Sequence, residues 1–392
     1  MQEAYIVSGL RLEVEKAKRG GFRFYRPDDL AIEVIRGLLA SVPQLDPKQV
    51  DDVIVGNAVP EAEQGLQVGR IIAARAVGIS TAGVTVNRYC ASGLETISIA
   101  TAKIRTGMAE CIIAGGTESM SMVPTAGWKP VPAYSIASDD PDYYLGMGLT
   151  AEAVAQEYQV SREDQDQFSY QSHQKALNAI KNGYFKPGIL PVKVEEVYLD
   201  KQGKKQKREY LMDTDEGPRA DTSPEALARL KPVFAANGSI TAGNSSQTSD
   251  GASFVIVMSE RMVNQLGLKP IARLVGCASA GVHPRIMGVG PVEAVPKVLK
   301  QVGMNLSQID LIELNEAFAS QSLAVIRKLG LDPDIVNING GAIALGHPLG
   351  CTGCKLTVQI THEMKRLNKK YGIVTACVGG GQGIAGVIEN IN

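Results

Sequence analysis

A cysteine at the junction of a strand and a helix is the first residue of this sequence that could do covalent chemistry. Cys90 follows the apolar run VTV and precedes ASGLETISIATAKI, which has the residue pattern of a helix. Backbone N–H groups at a helix N-terminus stabilise a thiolate and can bind an oxyanion. We therefore expect Cys90 to have a lowered pKa and to act as a nucleophile. The alternative is a buried, inert cysteine.

A second cysteine, Cys377, follows the strand-like run GIVTA and precedes VGGGQG. Successive glycines after a strand allow the backbone to approach a ligand closely. The loop lacks the Lys-Ser/Thr pair of a P-loop and the spacing of a dinucleotide-binding fingerprint. Because a glycine-rich loop is weak evidence by itself, Cys377 is a second candidate rather than a defined site.

Histidine is the residue type suited to deprotonate a thiol near neutral pH, and the sequence has four histidines. His347 lies in the glycine-rich run NGGAIALGHPLG, which would hold its imidazole rigidly, so it is the candidate base. His173 and His362 fall in polar helical runs and are expected at the surface, and His283 is expected to be structural.

Asn315 follows the run DLIEL and precedes a helical pattern. Its amide could orient a water or a substrate oxygen, or it could simply cap the helix. Cys351 and Cys354 form a CxxC pair, but no second pair is spaced to complete a zinc site, so no metal site is predicted. A redox role is one alternative for this pair. Two small buried residues on one helix face are favoured.

An alternation of strands and helices must position these residues. Short β-branched runs occur at 51–57, 84–93 and 111–119, and they return in the same order at 310–315, 335–341 and 372–383. Helical patterns lie between them, at 30–39, 93–104, 317–328 and 355–365. This alternation is typical of an α/β fold in which helices cover both faces of a sheet. The repeat predicts two similar halves, residues 1–120 and 268–392.

The middle of the chain, residues 121–250, interrupts the repeat. It opens with a stretch rich in Pro, Tyr and Asp and continues with a helical run over 162–182 that Ser161 can cap. The basic run 201–208 is expected to be a solvated hairpin tip, with contact to an anionic ligand as the minor alternative. Long excursions of this kind are usually functional loops. Residues 251–267 are expected to complete the first half and to link it to the second.

Composition excludes several classes of protein. Among 392 residues, 40 Lys and Arg balance 41 Asp and Glu, which argues against a nucleic-acid or membrane-surface protein. No run approaches the ~18 consecutive apolar residues of a membrane span, and the N-terminus does not have the pattern of a secretory signal. The six cysteines are scattered, which is typical of a reducing compartment. The cytoplasm is the expected location, and a mature organellar matrix protein is left open.

Taken together, the motifs resemble those of the thiolases. They are NRYCASG around Cys90, TAGNSSQTSDGA at 241–252, NEAFA at 315–319, GGAIALGHPLG around His347 and CVGGGQG around Cys377. The resemblance spans residues 4–388, in the family's order and spacing. It implies the thiolase fold, with two βαβ-rich halves packed as five α-β-α-β-α layers and a loop domain inserted in the first half.

The resemblance also implies roles for the candidate residues. Cys90 would take the acyl group from a 3-oxoacyl-CoA, with His347 activating it, and Cys377 would act as the acid and base for acetyl-CoA and CoA. One oxyanion site would use His347 with a water held by Asn315. The other would use the backbone N–H groups of Cys90 and Gly379.

Coenzyme A would be a substrate, with no cofactor bound permanently, and it would lie along the loop domain. By motif match, Ser246 would bond its pantetheine. The residues expected to line its channel are Met147, Phe234 and Phe318, and Arg219 is the candidate for its nucleotide end. The family resemblance also implies a homodimer or homotetramer, and a multienzyme partner for fatty-acid β-oxidation is left open.

The motif around Ser246 favours a degradative 3-ketoacyl-CoA thiolase over the biosynthetic acetoacetyl-CoA type. The biosynthetic type usually has Ala and Gly where this chain has Ser245 and Gln247. A ketoacyl-synthase-like enzyme, a non-catalytic acyl-CoA- or lipid-binding protein of this fold and a Cys-His-Asn hydrolase are the weaker alternatives.

The chain departs from the family pattern in two places. Where thiolases usually have Thr-Pro after Arg11 and a Gly two residues later, this chain has Leu12, Glu13 and Glu15. Losing a Pro and a Gly changes the backbone conformations allowed there. Cys354 stands where a small apolar residue is usual.

Overall fold

We describe residues 2–392 from a computed structural model. The strands are β1 (Ala4–Arg11), β2 (Glu15–Lys16), β3 (Asp52–Gly56), β4 (Ala82–Val86), β5 (Cys111–Ser119), β6 (Val192–Leu199), β7 (Lys205–Met212), β8 (Ser249–Ser259), β9 (Ala272–Gly281), β10 (Leu311–Leu314), β11 (Tyr371–Val378) and β12 (Gln382–Asn390). The helices are α1 (Pro27–Ser41), α2 (Val68–Ala76), α3 (Ser92–Arg105), α4 (Tyr134–Asp139), α5 (Met147–Glu157), α6 (Arg162–Lys181), α7 (Pro224–Ala228), α8 (Glu260–Gln265), α9 (Gly290–Val302), α10 (Ala319–Leu329), α11 (Ala342–Leu345) and α12 (Leu349–Leu367).

The main sheet consists of two half-sheets that share the same order of four strands, and the first has the additional edge strand β4. The first has the order β1-β8-β5-β3-β4, and the second has the order β9-β12-β11-β10. In each, the strands at one end are parallel and the other two are antiparallel to their neighbours. One residue pair, Ile6 and Ala272, joins the two half-sheets. The prediction of two similar α/β halves is therefore confirmed.

Three hydrophobic clusters alternate with these half-sheets. Helices α1 and α2 bury apolar side chains against the outer face of the first half-sheet. Helices α3 and α12 fill the space between the two half-sheets, and α9 and α10 cover the outer face of the second. This is the five-layer α-β-α-β-α arrangement expected from the sequence. Burial on both faces explains why the central strands are continuous apolar runs rather than alternating ones.

The two central helices approach each other through glycines. A Cβ atom on Gly93 of α3 would lie 2.6 Å from the backbone N of Cys354, and one on Gly353 of α12 would lie 2.3 Å from the backbone N of Leu94. No side chain fits at those distances, so the backbones pack directly against each other. Cys90 precedes α3 and His347 precedes α12, so this contact brings the two chain segments together.

Between β5 and β8 the chain forms helices α4 to α7 and a separate hairpin, β6-β7. The Ser161 side chain accepts a hydrogen bond from the backbone N–H of Asp164, as the predicted cap of α6 requires. The basic run 201–208 begins in the turn of the hairpin and continues along exposed β7. The domain boundaries at residues 120/121, 250/251 and 267/268 remain predictions.

Three local predictions are wrong. The run 335–341 is not a strand, because Asn337 takes a left-handed φ of 45° and its side chain exchanges hydrogen bonds with the backbone of Leu314. His173 is only 4% exposed and accepts a hydrogen bond from the backbone N–H of Arg219. His362 is also largely inside the protein, against Gly188.

Over residues 2–392, no helix has the length and apolar character needed to cross a bilayer.

The unusual segment after β1 buries several ionisable groups. Arg11 forms a bidentate ion pair with Asp215, with both N···O distances 2.7 Å. Glu13 is fully buried, and neither of its carboxylate oxygens has a hydrogen-bond partner among the described residues. Burial raises the pKa of Glu13 to about 8. Burial together with the neighbouring Glu216 also raises the pKa of Glu15. The segment therefore keeps protons that an unfolded chain would release.

We predict that Glu13→Gln flattens the dependence of stability on pH. The pKa of Glu13 is raised to about 8 from an ordinary value of 4.5, so the wild-type free energy of unfolding falls as pH rises through that window. The loss from this group is at most about 4 kcal/mol. Urea denaturation at several values between pH 5 and pH 8 measures it. The exposed Glu209→Gln variant is the control and should follow the wild-type curve. Parallel curves for Glu13→Gln and wild type would contradict the assignment.

Candidate active site

A strained turn presents the Cys90 thiol. Residues Tyr89–Ala91 form a single 3-10 turn between β4 and α3, and Tyr89 has a left-handed φ of 43°. The Asn87 side chain accepts the N–H of Tyr89 at 2.8 Å, and the Ser92 hydroxyl donates to the Tyr89 carbonyl at 2.7 Å. Such conformations persist only where surrounding contacts fix them. The turn therefore holds Cys90 rigidly, with 7% of its surface exposed.

The glycine-rich loop after β11 reaches the Cys90 thiol. The backbone N–H groups of Gly379 and of Cys90 itself act on the sulfur and lower its pKa. Burial is nevertheless the larger effect, and it raises the pKa of the Cys90 thiol to about 12. The expectation that the helix N-terminus lowers this pKa is therefore wrong for this structure. The same two N–H groups remain suitable donors to an oxyanion.

Cys377 lies at the end of β11 with no exposed surface. Burial raises the pKa of its thiol, and the neighbouring Cys90 raises it further. The Cys377 side chain packs in a small apolar cluster with Met147, Met287 and Phe318. The structure thus brings the two candidate cysteines together, although 286 residues separate them in the chain.

His347 is held at both ring nitrogens. Its Nδ1 lies 2.6 Å from the hydroxyl of Thr352, and that hydroxyl donates to the Pro348 carbonyl at 3.0 Å. If the hydroxyl proton goes to that carbonyl, Nδ1 must carry the proton of the ring; we infer this tautomer, in which Nε2 is the acceptor. Burial, and then the positive charge of Lys355, lower the pKa of His347 to about 3. The imidazole is neutral near pH 7.

Asn315 faces this imidazole and does not cap a helix. Its Nδ2 is 3.3 Å from Nε2 of His347, while α10 begins only at Ala319, with Phe318 at the cap position. Asn315 Oδ1 is buried and has no hydrogen-bond partner among residues 2–392. The alternative that Asn315 is an ordinary N-cap is therefore excluded, and its carbonyl oxygen is available to a polar group entering the site.

The candidate coenzyme A residues converge beside Cys377. The backbone N–H of Ser246 donates to the Ala317 carbonyl at 2.9 Å, next to Phe318. Phe234 packs edge-on against Phe318, with ring centroids 6.2 Å apart, and is 44% exposed. The Met147 sulfur lies near Gly379. Apolar contacts therefore extend from the exposed ring of Phe234 through Phe318 to Cys377.

Arg219 stands apart from this group. Its guanidinium pairs with Asp221 at 2.9 Å and is mostly exposed. Cys351 and Cys354 are buried, free thiols in the first turns of α12, which confirms the expectation of two small buried residues. Within the described chain, no group of three His, Cys, Asp or Glu side chains is placed to hold a metal ion.

Sequence reasoning missed two residues that fix the site. The first is Thr352, which bonds Nδ1 of His347. The sequence did contain a signal for it, because Thr352 lies in the first helical turn after the candidate base. Glu118, at the end of β5, accepts hydrogen bonds from the backbone N–H groups of Ala58 and Gly350, both at 2.8 Å. Its carboxylate thereby fastens the start of α12 to the first half of the molecule.

Comparison with known proteins identifies the family of this chain. The family model described as "Thiolase, N-terminal domain" matches residues 4–261, and "Thiolase, C-terminal domain" matches residues 268–390. The chain belongs to the thiolase family and is therefore an acyltransferase.

Among similar proteins, "3-ketoacyl-CoA thiolase" of Bacillus subtilis (strain 168) is 50% identical, covering 99% of this chain and 100% of that protein. "Acetyl-CoA acetyltransferase" of Pseudomonas aeruginosa is 44% identical over 98% of each chain. The crystal structure of the Bacillus anthracis acetyl-CoA acetyltransferase superposes with a TM-score of 0.90 at 37% identity, covering 100% of this chain and 99% of that one.

We predict that Thr352→Val changes the tautomer of His347. Valine keeps the shape of threonine but cannot accept the Nδ1 proton, so the Nδ1-protonated form should lose its preference. The ¹⁵N chemical shifts of a histidine-labelled sample report this directly, because only four histidines contribute. Thr357→Val is the control, since the Thr357 hydroxyl donates to the Gly353 carbonyl on the same helix. Unchanged His347 shifts in Thr352→Val would refute the assignment.

Proposed function

We propose that the protein is a 3-ketoacyl-CoA thiolase that cleaves 3-oxoacyl-CoA with coenzyme A, giving acetyl-CoA and a shortened acyl-CoA. One observation carries the proposal. Two buried thiols, Cys90 and Cys377, lie together beside a backbone N–H of the glycine-rich loop. A hydrolase needs one nucleophile and one base, whereas carbon–carbon cleavage also needs a proton donor for the carbanion that leaves. The second thiol supplies that donor.

In the first half of the proposed reaction, the Cys90 sulfur attacks the C3 carbonyl while its proton passes to Nε2 of His347. The C2–C3 bond then breaks, and C2 of the departing acetyl-CoA takes the proton of Cys377. The acyl group stays on Cys90 as a thioester. The N–H groups of Cys90 and Gly379 stabilise one developing oxyanion, and His347 with a water on Asn315 stabilises the other.

In the second half, coenzyme A releases the acyl group. The Cys377 thiolate takes the proton of the incoming CoA thiol, whose sulfur attacks the thioester carbon. The bond from that carbon to the Cys90 sulfur breaks, and Cys90 recovers its proton from His347. Cys377 has regained the proton that it gave to acetyl-CoA, so the site returns to its initial state.

We propose that coenzyme A enters at Phe234 and extends toward Cys377. We propose that Ser246 bonds the pantetheine and that Met147, Phe234 and Phe318 line its channel. The Phe234–Phe318 contact and the position of Met147 near Gly379 support this route. We also propose that Arg219 binds the nucleotide end of coenzyme A. The support for this role is the exposure of Arg219 on the loop that follows β7. Residues 121–250 form the proposed loop domain that holds coenzyme A.

The degradative type is proposed over the biosynthetic acetyl-CoA acetyltransferase type. The residues around Ser246 favour the degradative type. Of the two relatives described above, the Bacillus subtilis protein named "3-ketoacyl-CoA thiolase" has the higher identity to this chain. The biosynthetic type is the second candidate, because relatives with that name also match nearly the whole chain. A non-catalytic acyl-CoA- or lipid-binding role is the weaker alternative, since Cys90, Asn315, His347 and Cys377 are all present.

We propose a homodimer that pairs through β4. This strand lies at the end of the half-sheet with only β3 beside it, and Val84 and the nearby Ile79 are exposed apolar side chains. An exposed edge strand is a ready template for a second chain. A tetramer and a β-oxidation multienzyme partner remain further proposals. Both reactive thiols must be reduced, which supports a reducing compartment.

We predict that Cys90→Ala lowers kcat/KM for thiolysis by at least about a thousandfold, because no other group can take the acyl chain. Mass spectrometry of the variant after incubation with an acyl-CoA should show no acyl adduct. By contrast, Cys377→Ala should still form the adduct but not turn over, since proton transfer to C2 is lost. Cys354→Ala is the control, because it replaces another buried free thiol outside the site. An acyl adduct on Cys90→Ala, or normal turnover of Cys377→Ala, would overturn these roles.

Subtype is tested by thiolysis of a series of 3-oxoacyl-CoAs that differ in chain length. We predict comparable kcat/KM values for short and long chains, as a degradative enzyme requires. The reaction is followed by loss of the absorbance of the 3-oxoacyl-CoA enolate. Activity confined to acetoacetyl-CoA would instead support the biosynthetic type while leaving the cysteine roles intact.

A further inference from the structure

One amide side chain connects the segment that carries His347 to the rest of the site. Nε2 of Gln247 lies 3.1 Å from the Gly217 carbonyl, 3.2 Å from the Ile343 carbonyl and 3.1 Å from the Ala344 carbonyl. The backbone carbonyl of Gln247 accepts the N–H of His347 at 3.2 Å. Gln247 therefore contacts this segment through both its side chain and its backbone.

These contacts matter because the His347 segment has little regular structure of its own. It consists of the single-turn helix α11, then Gly346 with a φ of 90°, and then His347. The carbonyls of Ile343 and Ala344 lie at the end of that turn, where helical carbonyls lack intrahelical partners. They are buried, and a buried acceptor without a donor is destabilising. Gln247 supplies the donor.

Gln247 also belongs to the segment proposed to bind coenzyme A. The preceding residue, Ser246, is bonded to the Ala317 carbonyl, and the following residue, Thr248, forms an isolated parallel bridge with His347. Gly217 lies on the loop that also carries Arg219. A single side chain thus joins three segments that meet at the site: the pantetheine segment, the His347 segment and the loop after β7.

We propose that Gln247 is a positioning residue that sets the place of His347 relative to the bound substrate. The proposal rests on the function proposed above. Gln247 touches neither of the reacting sulfurs, and its amide hydrogens are directed to backbone carbonyls. Its loss should therefore lower the rate of the chemical steps more than the binding of coenzyme A.

The test compares Gln247→Met, which keeps the length of the side chain but has no donor, with wild type. We expect kcat for thiolysis to fall at least tenfold, with a change of less than threefold in the KM for coenzyme A. We also expect the ¹⁵N signals of His347 to shift or broaden. Gln247→Asn keeps the amide on a shorter stem, and its kcat should lie between those of the other two. Gln301→Met is the matched control, because it makes the same change at an exposed glutamine of α9.

The histidine spectrum separates failure of this proposal from failure of the proposed function. If wild type lacks thiolase activity, the function is wrong, but the spectra of Gln247→Met still test the link to His347. Wild-type kcat together with unchanged His347 signals in Gln247→Met overturns the proposal. A fall in kcat that Gln301→Met reproduces also overturns it. If Gln247→Met does not fold, Gln247→Asn decides: unchanged kcat and unchanged His347 signals overturn the proposal, whereas a reduced kcat with shifted signals supports it.

Discussion

The direct backbone contact between α3 and α12 is the constraint on which the site depends. These two helices come from different halves of the chain and run through the middle layer, and Gly93 and Gly353 allow them to touch without side chains between them. Each reactive segment is the turn immediately before one of these helices. Helix packing in the core therefore sets the separation of the two segments that carry the nucleophile and the base. Close-packed cores resist small displacements, so the site is preorganised before substrate arrives.

The internal repeat explains how one architecture yields different chemical groups at equivalent places. Strand β3 corresponds to β10, and they are followed by Asn57 and Asn315. Strand β5 corresponds to β11, and they end at Glu118 and Cys377. In the first half, the Asn57 amide bonds the Glu118 carboxylate at 3.3 Å, and that carboxylate holds the backbone of α12. In the second half, the equivalent residues are Asn315, which faces the His347 imidazole, and Cys377, which lies beside the Cys90 thiol. One copy of the repeat thus supports the site structurally, while the other provides chemistry.

The sequence was sufficient for features that depend on local pattern. The alternation of apolar runs and helical periodicity predicted the two halves and most of their elements, and the cap at Ser161 was visible in the residue types. The sequence did not predict features that depend on how the helices and strands pack together. The run at 335–341 has strand-like composition, but it forms only an isolated parallel bridge, between Val336 and Ile312 of β10, and the Asn337 side chain bonds the backbone of Leu314 beyond it. The inward positions of His173 and His362 follow from how α6 and α12 pack, which a polar residue pattern does not show.

The raised pKa of the Cys90 thiol has a physical consequence for the proposed reaction. Helix termini and N–H groups favour the thiolate, but removal from water disfavours any charge, and here removal from water is the larger effect. The same burial keeps Cys377 protonated and His347 neutral near pH 7. The resting site therefore holds no net charge on its reacting groups. A proton that leaves Cys90 must pass to a neighbour as the sulfur attacks, because a free buried thiolate would be costly. In the proposed reaction, oxyanions develop at the N–H groups of Cys90 and Gly379 and at His347 with the water on Asn315. Stabilisation is therefore concentrated on the transition state rather than on the resting enzyme.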